Sequence, residues 1–165
     1  MAAQTRQAAL DAVGRAMQRQ QRSTQSFDDA VGRRWGLGPA DLRCLDHLSE
    51  RPHTAGELAR AAGLRPAATT ALIDRLEGRG LVARTPSPTD RRRVVVALTA
   101  EAGRLVRDAY GPLVAEGTGL LDGFTTRELG RMTELLDRMT DLMDRHRARV
   151  AGEPPVTPGP AAPSR

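Results

Sequence analysis

The fold is constrained most by a single change of period in an otherwise helical chain. Up to Gly80 the apolar residues recur every three or four positions, which is the spacing of amphipathic helices. Leu81–Arg84 then reads as a short strand, residues 86–90 have turn chemistry, and β-branched Val94–Leu98 reads as the return strand. Helical spacing resumes after Thr99. The pattern predicts a mainly α fold with one small β-hairpin.

Four helices are predicted before the hairpin, because glycines and prolines interrupt the helical spacing. A long helix over residues 4–35 ends at Gly36, and Pro39 opens a second helix. Thr54 and Glu57 have capping-box spacing, which predicts the start of a third. The later boundaries are Gly63, Pro66 and Gly80. Three short helices followed by a hairpin, the wing, form a winged helix-turn-helix.

Two further helices are predicted after the wing. Thr99 can cap a helix that runs to about Glu116, where Gly117 and Gly119 should loosen the chain, and a capping box at 125–128 opens the last helix. This last helix carries a broad apolar face, formed by Leu129, Met132, Leu135, Leu136, Met139, Leu142 and Met143. A domain this small cannot bury such a stripe, so we expect a two-fold dimer.

These elements divide the chain into a winged helix-turn-helix domain over residues 4–150 and a tail. We expect a DNA-binding lobe over about 39–98 and dimerisation helices over about 4–35 and 100–150. The Pro-rich tail, residues 151–165, has little to bury and is predicted to be disordered.

The excess positive charge is confined to one third of the chain. Residues 60–93 hold eight Arg and three acidic residues, whereas the remaining 17 Arg are balanced by 17 acids. A cationic segment of this kind is typical of a protein that binds a polyanion.

Several other function classes are not expected. Cys44 is the single cysteine, which excludes an internal disulfide or a Cys-based zinc site, and the three His residues lack metal-ligand spacing. No nucleophile with a base and no phosphate loop is visible, so we expect neither an enzyme nor a cofactor. Without a secretory signal or an apolar run of about 18 residues, a cytoplasmic protein is expected, with no membrane partner.

Three segments in order resemble the MarR family of bacterial transcription regulators, over roughly residues 4–150. Asp90–Thr99 is similar to the family's wing pattern of Asp, any residue, Arg and an apolar strand ending Leu-Thr. Leu72–Val82 resembles the end of the recognition helix leading into the wing. The third segment combines Leu45 and Leu48 with Glu57-Leu58-Ala59.

The resemblance implies a homodimer on a pseudo-palindromic DNA operator, with the recognition helix in the major groove and the wing tip along the minor groove. In many members it also implies a switch that responds to a ligand or an oxidant. The leading interpretation is a sequence-specific repressor relieved by a small-molecule effector. The alternative is an architectural or protein-interaction module that binds DNA only non-specifically.

The candidate DNA-binding residues lie on the recognition helix and the wing. The first half of the recognition helix should face base edges, where Thr69 and Thr70 can hydrogen-bond or touch a thymine methyl. By resemblance, Arg92 enters the minor groove and Asp90 holds its guanidinium. The full set is Arg65, Thr69, Thr70, Arg75, Arg79, Asp90, Arg91, Arg92 and Arg93.

Two alternatives to this assignment remain. Thr69 and Thr70 can be ordinary helix residues, and Arg75 and Arg79 can be solvated or paired with acids on their own helix. Many members of the family carry Ser or Thr near position 67 and Arg near position 71, where this chain has Ala, which shifts the readout towards DNA shape.

A candidate effector pocket follows from the resemblance alone. Effectors of this family typically bind between the DNA-binding lobe and the dimerisation helices. By position, Trp35, Cys44, His47 and Tyr110 could line such a cleft. For Cys44 the preferred interpretation is small buried packing, and the alternative is a redox sensor.

Overall fold

The computed structural model describes residues 5–87, 90 and 92–152. The elements follow in the order α1 (Arg6–Trp35), α2 (Pro39–Glu50), α3 (Ala55–Ala62), α4 (Pro66–Gly78), β1 (Val82–Pro86), β2 (Val94–Leu98), α5 (Ala100–Gly119) and α6 (Thr126–Ala151). The predicted mainly α fold with one hairpin is therefore confirmed. The chain forms two compact units, Met1–Pro112 and Leu113–Arg165, and most of the predicted tail lies outside the described residues.

Capping interactions set the helix boundaries where the sequence predicted them. At the start of α3 the hydroxyl of Thr54 accepts from the Glu57 N–H (3.3 Å), and the Glu57 carboxylate accepts from the Thr54 N–H (2.7 Å). Thr125 and Glu128 form the same box at α6. Hydrogen bonds from the backbone N–H and the hydroxyl of Thr54 lower the pKa of Glu57 to about 2, because they favour its charged form.

The wing is a two-stranded antiparallel hairpin whose register runs from Val82 opposite Leu98 to Pro86 opposite Val94. Residue 86 was predicted to lie in the turn, but the strand includes it. Proline cannot donate to the ladder, and the next residue, Ser87, donates its N–H to the Arg93 carbonyl instead (2.8 Å). The ladder therefore continues past the proline.

Two other predicted boundaries are wrong by a few residues. β1 begins at Val82 rather than Leu81, because the Leu81 N–H turns back to the Leu76 carbonyl (3.0 Å). α5 continues to Gly119 instead of ending near Glu116. Helical hydrogen bonding outweighs the glycines there: the Leu120 N–H still donates to the Glu116 carbonyl (3.2 Å).

The core of the first unit is aliphatic and joins α2, α3, α4 and the hairpin. Leu58, Ile73, Leu76 and Val82 are its largest fully buried side chains that are apolar. At the end of α1, Gly32 allows a close approach to the following segment, since an added Cβ would lie 2.8 Å from the Leu37 carbonyl oxygen. This core holds α4 with one face inward and the other outward.

In the second unit, α6 leaves its apolar face open in the single chain. Met132 is 38% exposed, and Leu136 and Met143 are each 61% exposed. The exposed stripe is the one predicted from the sequence.

Candidate nucleic-acid interface

The helix-turn-helix consists of α3 and α4, joined at Gly63 in the left-handed conformation (φ 64°). α4 buries Thr69, Leu72, Ile73 and Leu76, so its other face is open to solvent. In the first half of the helix that open face carries small side chains, which are Ala67, Ala68, Thr70 and Ala71. The face of α4 that is the candidate for base contacts therefore has short side chains and few hydrogen-bonding groups.

Thr69 was predicted to contact bases, but the structure places it in the core. It is 2% exposed, and its hydroxyl donates to the Arg65 carbonyl (3.1 Å). The period of 3.6 residues puts position 69 on the face shared with Leu72 and Leu76, which explains its burial. Thr70 lies on the exposed face, and its hydroxyl donates to the Pro66 carbonyl (3.1 Å).

Arg65 is exposed at the N-cap position of α4, beside the half of the helix predicted to meet DNA. Arg60, in the last turn of α3, is exposed as well and was not among the predicted site residues. Within the described part of the chain, neither guanidinium has a hydrogen-bond or ion-pair partner. Both guanidinium groups are available to phosphates. Arg60 could have been predicted from the sequence, because it lies within the segment of excess positive charge over residues 60–93.

Arg75 was predicted to reach DNA or to pair with an acid on its own helix, but the acid that it contacts lies on a different helix. Its guanidinium pairs with Asp41 of α2, whose side chain is only 7% exposed. The second oxygen of Asp41 accepts from the Gly38 N–H (3.0 Å). Arg75 therefore neutralises a buried carboxylate, a contact that separate helices create and that sequence spacing does not reveal.

Arg79 is exposed, but its guanidinium also has partners within the protein. Its guanidinium donates to the carbonyls of Trp35 (2.5 Å) and Gly36 (2.8 Å) at the end of α1. Another cation of the basic segment, Arg84, pairs with Glu77 and with Asp74 (2.5 Å). The hydrogen bond to Asp74 and the two carboxylate charges raise the pKa of Arg84. Part of the segment's charge is thus compensated by internal contacts.

The wing tip is organised by Asp90. Its carboxylate accepts from the backbone N–H of Arg92 (3.0 Å), and its carbonyl accepts from the Arg93 N–H (2.9 Å). The contact predicted with the Arg92 guanidinium is replaced by this main-chain contact. β2 begins at Val94, so Arg92 and Arg93 precede the strand.

The exposed arginines of the wing remain candidates for DNA contact. Arg92 and Arg93 are exposed, and in the described part of the structure no acidic group pairs with either guanidinium. Arg91 lies outside the described residues. Arg60 and Arg65 thus place unpaired positive charge beside the start of α4, and Arg92 and Arg93 place it at the wing tip.

One of the four predicted effector residues, Trp35, lines a cavity in the described part of the first unit. The first unit contains a cavity of 130 Å³, lined by Trp35, Leu37, Leu45, Arg79, Leu81, Ala102, Leu105 and Val106. Of the predicted set, only Trp35 lines it.

The other three predicted pocket residues have separate surroundings. Cys44 is 1% exposed in the core, where burial, reinforced by the charge of Asp41, raises its pKa to about 11. The Tyr110 hydroxyl donates to Asp28 (3.0 Å), and burial followed by that contact raises its pKa to about 12. The His47 carbonyl accepts from Nε2–H of His53 (3.1 Å). The Cys44 and Tyr110 side chains therefore have local packing roles, which a positional analogy could not distinguish from a pocket.

Neither a membrane-spanning helix nor a metal-binding cluster is found among the residues that the structure describes. None of their helices is long and apolar enough to cross a membrane. No group of three or more His, Cys, Asp or Glu side chains in this part of the chain could hold a metal ion.

Known proteins share both the sequence and the fold. The sequence model described as MarR family matches residues 35–93. The uncharacterized HTH-type transcriptional regulator YcgE of Bacillus subtilis is 41% identical over 107 residues, covering 64% of this chain and 70% of that protein. The HTH-type transcriptional repressor Rv2887 of Mycobacterium tuberculosis is 34% identical over 105 residues, covering 61% and 76%.

A solved structure shares the fold. A solved MarR family protein from Bacillus stearothermophilus has a TM-score of 0.61 and 20% identity, covering 84% of this chain and 98% of that one. The names of the sequence relatives describe transcriptional regulators of the helix-turn-helix type. The helix-turn-helix, the hairpin and the exposed arginines of this chain are consistent with that description. The chain belongs to the MarR family of DNA-binding transcriptional regulators.

Proposed function

We propose that this chain is a homodimeric repressor that binds a pseudo-palindromic operator and is released by a small-molecule effector. The observation that carries the proposal is the distribution of cations that have no ion-pair partner among the described residues. Arg60 and Arg65 lie beside the start of α4, and Arg92 and Arg93 lie at the wing tip. This arrangement suits a helix in the major groove and a wing along the minor groove.

The division of labour within the chain is part of the proposal. Residues 39–98 form the DNA-binding lobe, and the flanking helices within 4–35 and 100–150 form the dimerisation region. The exposed apolar stripe of α6 supports this division, since a monomer rarely leaves so continuous an apolar face in water. A two-fold dimer buries the stripe and presents two recognition helices to two half-sites.

In this proposal the effector binds in the 130 Å³ cavity of the first unit. Its lining is apolar apart from Arg79, so it suits a small, largely apolar molecule. The cavity joins the end of α1, the base of the wing and the start of α5. An occupant there would therefore press on α1 and α5 of the dimerisation region, and also on the lobe.

Sedimentation and DNA binding together test the dimeric arrangement. Leu136→Glu adds a charge in the centre of the apolar stripe, and we expect it to produce monomers that bind DNA weakly. Gly130→Glu adds the same charge on the side of α6 opposite the stripe, where an added Cβ would meet no atom within 4 Å, and it should leave both properties unchanged. A Leu136→Glu protein that stays dimeric, or that binds DNA normally as a monomer, would contradict the proposal.

A second candidate function is a module that binds DNA without sequence preference. The small side chains at the start of α4 favour it, because Ala67, Ala68 and Ala71 cannot hydrogen-bond to bases. Specific binding persists at physiological salt, whereas non-specific binding weakens to about 10⁻⁶ M or worse. Affinities for matched and scrambled duplexes therefore separate the two functions.

A further inference from the structure

The C-terminal end of α1 is completed by a side chain from the recognition helix. The last carbonyls of a helix have no partner within it. In α1 the Gly36 N–H donates to the Arg33 carbonyl (3.4 Å) and the Leu37 N–H to the Gly32 carbonyl (2.9 Å). The carbonyls of residues 35 and 36 instead accept from the Arg79 guanidinium. Residues far apart in the chain therefore complete this helix end.

The Arg79 contact combines several interactions that oppose movement of α4 relative to α1. Arg79 brings a positive charge to the negative end of the α1 dipole, and its planar fork meets two acceptors at once. Its own N–H donates to the Arg75 carbonyl (3.2 Å), so its backbone closes α4 while its side chain holds α1. A displacement of α4 relative to the end of α1 must break these charge-assisted hydrogen bonds.

Arg75 differs from Arg79 in what it connects. Its partner Asp41 belongs to α2, so the Arg75 contact joins two helices of the same DNA-binding lobe. Among the described residues, the polar contacts between α4 and the end of α1 are those of the Arg79 guanidinium. Arg79 thus connects the recognition helix α4 with α1, which belongs to the proposed dimerisation region.

We infer that Arg79 is a positioning residue that fixes α4 against α1 and thereby sets the spacing of the two half-sites that the dimer accepts. The inference rests on the proposed dimeric function, because only a dimer reads two half-sites. In such dimers the separation of the recognition helices determines the half-site spacing. Arg79 then acts on DNA through geometry, without touching it.

The test uses the full chain and a duplex that the wild-type protein selects from a random-sequence library. The two half-sites are then brought together or separated by one base pair. The wild-type protein should lose roughly tenfold or more in affinity for either altered duplex, as a misplaced half-site implies. Arg79→Met keeps the length and apolar stem of the side chain but removes its donors, and its penalty should fall below about threefold.

The salt dependence of binding separates positioning from direct contact. Arg79→Met should keep the wild-type slope of log affinity against log salt, since no phosphate contact is lost. Arg65→Ala is the matched comparison: it should reduce that slope by about one and keep the spacing preference. Arg79→Gln repeats the test with a polar neutral side chain, in case the Met variant is poorly folded by circular dichroism.

Three results would overturn the inference. An unchanged spacing preference in both Arg79 variants would show that the link does not position α4. A uniform loss of affinity with a reduced salt slope would make Arg79 a phosphate ligand instead. If the wild-type protein selects no paired half-sites, the dimeric function itself fails, and the inference fails with it.

Discussion

Replacing Arg75 with Ala should destabilise the protein while leaving its phosphate contacts intact. Asp41 is 5% exposed, and its carboxylate is held by the Gly38 N–H and by the Arg75 guanidinium. Removing Arg75 leaves a buried charge with one remaining donor. The variant therefore tests whether an arginine of the basic segment serves the fold instead of the DNA.

The expected cost follows from the exposure of the two partners. Breaking a fully buried ion pair costs about 3–5 kcal/mol. The Arg75 side chain is 53% exposed, so solvent already screens this pair and water can reach the vacated site. The loss of one charge-assisted hydrogen bond, about 1.5–3 kcal/mol, is the better guide. We expect the free energy of unfolding to fall by about that amount.

Urea unfolding at a fixed protomer concentration measures this change, because dimer stability depends on concentration. Asp41→Asn combined with Arg75→Ala is the matched control, since an amide at position 41 still accepts from the Gly38 N–H without a buried charge. The double variant should recover most of the loss. DNA affinity and its salt slope should match the wild type in both proteins under folding conditions.

The reasoning would be refuted by two observations together. One is an Arg75→Ala protein that unfolds at the wild-type urea concentration. The other is a salt slope for DNA binding that is lower by about one, as expected for a lost phosphate contact. Arg75 would then belong to the DNA interface, as the sequence first indicated.

Three further predictions concern separate parts of the molecule. Arg92→Ala should weaken DNA binding by about tenfold or more with an unchanged melting temperature. Asp90→Ala removes a negative charge but should also weaken DNA binding, because the wing tip loses its shape. Fluorescence anisotropy measures the DNA affinity of both variants. The pKa of Glu57 lies at about 2 in the folded state, below its ordinary value of 4.5, so its stabilisation is present above pH 4.5 and is lost as the pH falls towards 2. Acid unfolding of Glu57→Gln should lack this component. The Cys44 thiol, with a pKa of about 11, should resist a thiol reagent at pH 8 until urea unfolds the chain.

Local chemistry explains why the fold was predictable from the sequence. Capping boxes, prolines and glycines fix helix ends within a few residues, and Thr54 with Glu57 shows the predicted reciprocal contacts. The errors occurred where context outweighed a local signal. β1 includes Pro86, because the Ser87 N–H continues the hydrogen-bond ladder, and α5 continues through Gly117.

The candidate site was harder to predict, because an arginine's role depends on what lies opposite it. Arg75 and Arg79 look like Arg65 in the sequence, but the fold brings Asp41 and the end of α1 to the first two. Thr69 could have been assigned to the core from its helical spacing with Leu72 and Leu76. No comparable signal places Tyr110 beside Asp28, since 82 residues separate them in the chain.

The central claim is that this chain is a dimer that binds one operator specifically, and fluorescence anisotropy tests it most directly. The protein is titrated at about 150 mM salt onto the DNA upstream of its own gene and onto a scrambled duplex of the same composition. The account predicts binding to the native duplex that is tighter by about 10³ or more, with two protomers per site. Equal and steeply salt-dependent binding to both duplexes would contradict it.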